Sequence, residues 1–283
     1  MTPGRKRHRL LFCGIVQGVG FRPFIYRLAV GHRLSGFVRN RPDGVVVEIE
    51  GPAESVDAFV RAVPVSLPPR AELSAISDAE IPLQGDQGFR IIASSTGGLP
   101  DGRIAPDTAT CPDCLQELFS PGDRRHRYPF INCTNCGPRL TIITDIPYDR
   151  ARTSMSRFPL CGECLREYHD PADRRFHAEP NACPVCGPRL TLLDADGQPQ
   201  AVDDPLQEAL TILGRGLILA VKGLGGFHLA VNADDDEAVK RLRTRKYREE
   251  KPFAIMVRDP ETASTFVEMN EAERHLLTSP QSP

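Results

Sequence analysis

Two segments of the chain, residues 111–139 and 161–189, read CPDCLQELFSPGDRRHRYPFINCTNCGPR and CGECLREYHDPADRRFHAEPNACPVCGPR. Each contains four cysteines in the pattern Cys-x2-Cys-x18-Cys-x2-Cys, and every cysteine of the second segment lies 50 residues after its counterpart in the first. Both segments also share an Asp-Arg-Arg sequence and a Gly-Pro-Arg ending. Such self-similarity at a fixed period indicates a duplicated structural module.

The cysteine spacing is typical of structural zinc sites. A Cys-x2-Cys turn presents two thiolates to one ion, and two such turns complete a tetrahedral Cys₄ site with no open position. Thiolate ligands favour Zn²⁺, with iron as the second choice. Pairing of the two turns within one repeat is the simplest arrangement, and pairing across the repeats stays open. The sequence therefore predicts two structural zinc ions bound by Cys111, Cys114, Cys133, Cys136, Cys161, Cys164, Cys183 and Cys186.

The overall composition excludes several classes of protein. Hydrophobic residues make up 40% of the 283 residues and charged residues 25%, with a net charge of −2. These values exclude general disorder and a chain-wide attraction to nucleic acid or membranes. The chain contains no apolar run of the roughly 18 residues that a membrane span needs, and no signal-peptide cleavage site follows its basic start. Without an export signal, closely spaced thiols favour metal binding over disulfides, and we expect a cytoplasmic protein.

The pattern of residues changes twice along the chain. Residues 1–95 and 201–283 alternate strand-like and helix-like patterns, whereas residues 96–200 are rich in Cys, Pro, Arg and Asp. Linker-like segments at residues 94–98 and 194–197 separate the three regions. The sequence therefore predicts an α+β multidomain protein with a small zinc-stabilised module in its middle.

The first region shows the order of a ferredoxin-like fold. The predicted order is β-α-β-β-α-β, which defines this plan, although the plan supports many unrelated activities. The elements are a strand over residues 9–15, a helix whose first residue is Pro23, strands near residues 36–40 and 45–50, a helix over 53–63 and a closing strand over 89–92.

A glycine-rich loop precedes the first predicted helix. Backbone N–H groups of such a turn point at one place, where the helix dipole favours negative charge. The next residue, Arg22, can add a bidentate contact to a phosphate. The predicted phosphate-binding loop consists of Gln17, Gly18, Val19, Gly20 and Phe21.

This loop carries a family resemblance. Residues 14–22 read GIVQGVGFR and residues 36–40 read GFVRN, which together resemble the acylphosphatase signature over about residues 8–93. The resemblance implies that Arg22 binds the phosphoryl group and that Asn40 positions the attacking water. An acyl phosphate already has a good leaving group, so that positioning of water and neutralisation of charge suffice without a metal or a covalent nucleophile.

The third region contains a basic run, in which seven of the twelve residues from Lys240 to Lys251 are Lys or Arg. It begins with a buried-strand pattern at residues 216–221 and continues with a predicted helix over residues 234–247. It resembles the start of a YrdC-like ATP-binding α/β domain, in which basic residues hold the nucleotide triphosphate and an adenylate. RNA binding is a tendency of that fold, but no aromatic residues alternate with the basic ones here. The positions that the resemblance assigns to the nucleotide are Lys222, Lys246, Arg248 and Lys251.

The order of the three modules, and the strings DRRHRYPFINC and CPVCGPR, resemble the N-terminal part of the HypF family of hydrogenase-maturation carbamoyltransferases. This resemblance implies hydrolysis of carbamoyl phosphate by the first domain. It implies formation of carbamoyl adenylate from Mg²⁺-bound ATP by the YrdC-like domain, and transfer of the carbamoyl group to the C-terminal cysteine of a partner, HypE. Residues 203–283 are too few for a complete YrdC-like domain, so we expect a partial domain and acylphosphatase activity without the complete transfer.

Two other classes of function remain open from the residues alone. A zinc-stabilised nucleic-acid-binding protein would use the paired arginines of the repeats and the basic run over residues 240–251. A chaperone-like interaction module would also carry four Cys-x2-Cys turns, but the glycine expected after such a turn is replaced by Leu115 and Leu165. The sequence does not set the oligomeric state.

Overall fold

The computed structural model describes residues 4–95, 103–223, 225–248 and 250–280. The chain forms two compact units, Met1–Pro188 and Arg189–Pro283. The first unit contains the ferredoxin-like region and both cysteine repeats. Each unit is described separately below.

The first unit is built on a five-stranded sheet in the order β4-β1-β3-β2-β5. The central strand β3 pairs antiparallel with β1 on one side and with β2 on the other, and β4 pairs antiparallel with the far edge of β1. β5 is parallel to β2. The strands are β1 (Arg5–Ile15), β2 (Ser35–Arg41), β3 (Gly44–Pro52), β4 (Glu72–Glu80) and β5 (Phe89–Ile91).

Two helices, α1 (Phe21–Gly31) and α2 (Ala53–Val65), pack on one face of this sheet. α1 buries Phe21, Ile25 and Ala29, whose four-residue spacing places them on one face of the helix. Side chains along each strand alternate between the core and the opposite face, and Leu10 and Phe12 of β1, two residues apart, both lie in the core. The ferredoxin-like plan predicted from the sequence is therefore confirmed.

Strand β4 of this sheet was not predicted. The predicted closing strand over residues 89–92 forms as β5, but it is a fifth strand beside β2. The strand that closes the ferredoxin-like plan is β4, which lies at the opposite edge. Nearly all of its side chains are exposed, so it lacks the apolar alternation that marks a half-buried strand.

The cysteine repeats each begin with a short helix, α3 (Pro112–Phe119) in the first and α4 (Gly162–His169) in the second. The first cysteine of each repeat occupies the N-cap position, and the second lies buried in the first turn. Between the repeats, two 3₁₀ turns at Arg150–Arg152 and Ser154–Arg157 connect irregular segments. Little regular structure is therefore available to hold this region together.

Ionic contacts cross from the first repeat to the second. Arg124 Nη2 lies 2.6 Å from Glu167 Oε1 and also donates to Cys164 Sγ at 3.2 Å. The Arg125 guanidinium donates to both carboxylate oxygens of Glu167, at 2.9 and 2.6 Å, and to the Ala182 carbonyl oxygen. Because Arg125 is only 2% exposed, this glutamate neutralises a charge that has almost no access to water.

Arginines of the second repeat make the equivalent contacts to the first repeat. Arg174 donates to Glu117 Oε1 at 2.9 Å and to Cys114 Sγ at 3.1 Å, and Arg175 donates to Glu117 and to the Asn132 carbonyl oxygen. The contacts of Arg174 and Arg175 to Glu117, together with those of Arg124 and Arg125 to Glu167, are called the crossed arginine–glutamate pairs. Their arginines hold the pKa of Glu117 below its usual range and lower that of Glu167 to about 2, against the opposing effect of burial.

The second unit combines a two-stranded antiparallel sheet with helices. Strands β6 (Leu219–Lys222) and β7 (Phe227–Ala230) pair along their full length. The predicted strand at residues 216–221 thus lies a few residues later, and the predicted helix over 234–247 forms as α6 (Asp236–Lys246). The remaining helices are α5 (Pro205–Gly214), α7 (Pro260–Ala263) and α8 (Glu271–Leu277). No helix within the described part of the chain is long and apolar enough to span a membrane.

We predict that the crossed arginine–glutamate pairs stabilise the first unit. In a Glu167→Gln variant, Arg125 would remain buried without a carboxylate, which is expected to lower the free energy of unfolding by about 2–4 kcal/mol. Glu163→Gln is the matched control, because Glu163 lies 3.5 Å from Arg124 but is 58% exposed, and it should cost less than about 1 kcal/mol. Urea unfolding followed by circular dichroism measures both. Equal losses in the two variants would contradict the prediction.

Candidate active site and metal centres

The eight repeat cysteines lie in two groups of four, one group in each repeat. The structure therefore joins the two turns within a repeat, which the sequence had left open. In the first repeat, the Sγ atoms of Cys111 and Cys133 lie 3.7 Å apart and those of Cys114 and Cys136 lie 3.5 Å apart. In the second repeat, the corresponding separations are 3.8 and 3.6 Å.

These separations fit a tetrahedral thiolate site. A tetrahedron of sulfurs about 2.3 Å from a central zinc ion has edges of about 3.8 Å. A disulfide would require a separation of about 2.05 Å, so the sulfur positions exclude that bond and match the geometry of metal ligands. All eight cysteines are free thiols.

The predicted phosphate-binding loop turns sharply into α1. Gly18 and Gly20 both adopt left-handed backbone angles, with φ of 73° and 74°, a region that glycine enters at little cost. Gly20 caps the helix without any side-chain acceptor on the first-turn N–H groups. Pro23 has no N–H group and the Phe24 N–H donates to the Gly20 carbonyl oxygen, so that within the described part of the chain the Phe21 and Arg22 N–H groups are the first-turn donors left for an anion at the start of α1.

The backbone of one residue of the cysteine-rich region, Tyr148, contacts three of the predicted site residues. The Tyr148 N–H donates to Gln17 Oε1 at 2.8 Å. The Tyr148 carbonyl oxygen accepts from Asn40 Nδ2 at 3.1 Å and from Arg22 Nη2 at 3.4 Å. Because its amide nitrogen is held in this way, Asn40 leaves its Oδ1 atom buried and without a partner among the described residues.

Arg22 is buried and is bound by two carboxylates. Its Nη1 donates to Asp149 Oδ1 at 2.8 Å, and its Nη2 donates to Glu179 Oε1 at 2.5 Å. Burial opposes the charged form, but the two carboxylates outweigh it and raise the pKa of Arg22. Arg22 therefore stays a cation held at a fixed place by residues outside the ferredoxin-like sheet.

Glu179 is the most enclosed of these carboxylates, with 2% of its surface exposed. Its Oε2 atom accepts from the Arg150 N–H and from the Tyr168 hydroxyl, both at 2.9 Å. Burial raises the pKa of Glu179 in spite of these donors and of Arg22. This side chain is thus a buried acidic group beside Arg22.

The loop, Arg22 and Asn40 share one pocket with residues of the cysteine-rich region. The pocket encloses about 320 Å³, including open space at its mouth. His177 lies in its wall, and burial together with Arg22 lowers the pKa of this imidazole to about 3, so that it is neutral at pH 7. Three of the lining residues hold a buried polar atom without a partner, namely Asn40 Oδ1, Tyr148 Oη and His177 Nδ1.

The residues assigned to a nucleotide are only partly brought together in the second unit. Arg248 donates to the backbone carbonyl of Lys251 at 3.2 Å and lies over the Phe253 ring at 5.2 Å. Lys222 ends β6, with its ammonium 5.9 Å from the Phe227 ring centroid. Lys246 is the last residue of α6. Among the described residues, no hydrogen bond or ion pair joins Lys222 or Lys246 to Arg248.

Sequence reasoning missed the part of the pocket that comes from the cysteine-rich region. Tyr148 and Asp149 lie between the repeats, where no pattern recurs, and Arg139 donates to the Gly18 carbonyl oxygen from the end of the first repeat. For Glu179 the sequence does contain a signal, which is a difference between the two repeats. The repeats differ at this position, since the residue 50 positions earlier is Pro129.

Three family models match separate parts of the chain. The acylphosphatase model matches residues 8–91, and the HypF finger model matches residues 110–143 and 160–193. The Sua5/YciO/YrdC model, described as telomere recombination, matches residues 211–283. The matches follow the order of regions predicted from the sequence.

Curated relatives match over the full chain or over its first region. The chain is 51% identical to carbamoyltransferase HypF2 of Cupriavidus necator over 284 residues and 51% identical to carbamoyltransferase HypF of Rhizobium leguminosarum bv. viciae over 278 residues. These matches cover 100% and 98% of this chain but 35% of each relative, so the chain spans about a third of their length. An acylphosphatase of Chlorobaculum tepidum is 40% identical over 89 residues, which are 96% of that protein.

Solved structures of HypF proteins also match over nearly the whole of this chain. A crystal structure of full-length HypF in the phosphate- and nucleotide-bound form superposes with a TM-score of 0.92 at 46% identity, covering 99% of this chain and 36% of that one. The crystal structure of T. kodakarensis HypF superposes with a TM-score of 0.89 at 48% identity, covering 97% of this chain and 35% of that one. The chain therefore belongs to the acylphosphatase family through residues 8–91, and as a whole it is a relative of the HypF carbamoyltransferases.

Proposed function

We propose that the pocket of the first unit hydrolyses acyl phosphates, with carbamoyl phosphate as the substrate. The observation that carries this proposal is that the Tyr148 carbonyl oxygen binds both Arg22 and Asn40, the two residues to which the acylphosphatase resemblance gives the phosphoryl group and the attacking water. The choice of a carbamoyl group rests on the names of the relatives, which are carbamoyltransferases.

In this proposal each group has a separate task. The first-turn N–H groups of α1 and the Arg22 guanidinium bind the phosphoryl oxygens and neutralise the charge that develops on them. The buried, unpartnered Oδ1 of Asn40 accepts a hydrogen bond from the attacking water. The water oxygen bonds to phosphorus, the bond from phosphorus to the acyl oxygen breaks, and the products are phosphate, carbamate and a proton.

We further propose that each cysteine group binds one structural zinc ion. The sulfur geometry and the match to HypF finger models support this assignment. The four thiolates of Cys111, Cys114, Cys133 and Cys136 would bind one ion, and those of the second repeat would bind the other. When bound, zinc would cross-link segments that contain little hydrophobic core of their own.

The larger role proposed for the chain is a part in carbamoyl transfer during hydrogenase maturation. The relatives' names and the match of residues 211–283 to the Sua5/YciO/YrdC family support it. In this proposal Lys222, Lys246, Arg248 and Lys251 bind Mg²⁺-ATP, carbamoyl adenylate forms there, and HypE receives the carbamoyl group. The division into residues 1–95, 96–200 and 201–283 and a cytoplasmic location belong to the same proposal.

Replacement of Arg22 tests the hydrolytic site. We expect Arg22→Ala to lower kcat/KM for carbamoyl phosphate by at least about a hundredfold, because the buried cation that neutralises the phosphoryl group is lost. Arg27→Ala is the matched control, since Arg27 lies on the same helix and its guanidinium makes a long hydrogen bond, 3.5 Å, to the Pro171 carbonyl oxygen. Phosphate release measures both rates. Full activity in Arg22→Ala would refute the proposed role.

Metal analysis tests the zinc assignment. The purified chain is expected to contain two zinc ions, and Cys186→Ser should reduce the content to about one because a Cys₄ site would lose a ligand. Cys13→Ser is the control, since Cys13 lies on β1 outside both groups and should leave two ions. A content of two ions in Cys186→Ser would contradict the assignment.

Calorimetric titration with Mg²⁺-ATP tests the nucleotide site. We expect saturable binding by the whole chain and an affinity at least about tenfold lower in Lys251→Ala, since charge-assisted contacts to phosphate are strong. Lys240→Ala serves as the control, because Lys240 is exposed on α6 and already pairs with Glu237 at 2.8 Å. Equal affinities in the two variants would remove Lys251 from the proposed site.

A further inference from the structure

The pocket of the first unit has two chemically different walls. The wall from the ferredoxin-like region offers donors, namely the Phe21 and Arg22 N–H groups of α1 and the Arg22 guanidinium, beside the acceptor Asn40 Oδ1 to which the attacking water is assigned above. The wall from the cysteine-rich region offers acceptors, namely the Tyr148 carbonyl oxygen and the Glu179 carboxylate. A ligand that fills the space between them needs acceptors at one end and donors at the other.

The Glu179 carboxylate retains capacity for one more donor. Its Oε2 atom already accepts from the Arg150 N–H and the Tyr168 hydroxyl, whereas Oε1 accepts from Arg22 alone among the described residues. The two oxygens of a carboxylate together offer about four acceptor positions. The remaining position is on Oε1, the atom that faces the phosphate-binding arginine.

We propose that Glu179 is a specificity-determining residue that selects acyl phosphates whose acyl group carries N–H bonds over those that end in an alkyl group. This inference rests on the hydrolytic function proposed above. With the phosphoryl group on Arg22 and the loop, the acyl end points away from the phosphate and lies against the second wall. A carbamoyl NH₂ group donates to Glu179 Oε1 there, whereas the methyl group of acetyl phosphate leaves a buried carboxylate position unsatisfied.

The hydrogen bond from the carbamoyl NH₂ group to Glu179 also explains how a buried carboxylate coexists with an anionic substrate. Glu179 lies 2.5 Å from Arg22, so a phosphoryl group bound to Arg22 comes close to a second negative charge. Donors between two anions reduce their repulsion. An NH₂ group supplies such donors, and an alkyl group does not. The same carboxylate therefore helps one class of substrate and opposes the other.

A comparison of two substrates tests this proposal on the zinc-loaded, full-length chain. The measured quantity is the ratio of kcat/KM for carbamoyl phosphate to kcat/KM for acetyl phosphate, each corrected for uncatalysed hydrolysis. The wild-type ratio is expected to exceed one, and Glu179→Gln should lower it about tenfold, because a charged acceptor is replaced by a neutral one. Glu179→Asp, which keeps the charge but withdraws it by one methylene, should also lower the ratio and serves if the glutamine variant does not fold.

Asp149→Asn is the matched control. Asp149 also binds Arg22, at 2.8 Å, but it is not among the residues that line the pocket. Its replacement should lower the rates for both substrates together and leave their ratio unchanged. A wild-type ratio in Glu179→Gln and Glu179→Asp would overturn the selectivity proposal while leaving the hydrolytic function intact. Absence of hydrolysis of either substrate by the wild-type chain would instead refute the proposed function itself.

Discussion

The crossed arginine–glutamate pairs are the interaction on which the first unit depends. The cysteine-rich region contains only a small cluster of buried apolar side chains, and four of its helices and turns span eight residues or fewer. Each repeat therefore needs the other. A glutamate on the short helix of one repeat binds two arginines of the other, and this exchange occurs in both directions.

The same contacts bear on the charge of the metal centres. Four thiolates around a divalent ion carry a net charge of −2, which is costly to bury without nearby donors. Arg124 and Arg174 each donate to a cysteine sulfur of the opposite repeat, at 3.2 and 3.1 Å. One set of cations thus serves two purposes: it joins the repeats and reduces the negative charge of the thiolate groups.

The packing of the cysteine-rich region in turn determines the state of the acylphosphatase residues. In a ferredoxin-like domain alone, Arg22 at the start of α1 would be open to solvent at the rim of the sheet. Here it is 8% exposed and contacts Tyr148, Asp149 and Glu179. The low dielectric of such an enclosed site strengthens each ionic contact. The environment of Arg22 is therefore a property of the two regions together.

The sequence was sufficient for features that leave a local pattern. The duplicated cysteines, the glycine-rich loop and the ferredoxin-like order all depend on spacing within short segments, and the fold class predicted from them is confirmed. Features that depend on contacts between residues far apart in the chain left no recognisable pattern in the sequence. β4 is an exposed edge strand without apolar alternation, and Tyr148 acts through its backbone, which no side-chain pattern can reveal. The roles of Arg22 and Asn40 stay predictions, although the structure places both in one pocket.

The differences between the two repeats are as informative as their agreement. The cysteines, the Asp-Arg-Arg sequence and the glutamates of the crossed pairs recur at an offset of 50 residues, because both repeats must satisfy the same contacts. Glu179 does not recur, and its counterpart is Pro129. Only the second repeat places this position beside Arg22. Where the two repeats satisfy the same contacts the residues agree, and at the position that binds Arg22 in the second repeat they differ. The asymmetry therefore marks the residue through which the second repeat binds Arg22.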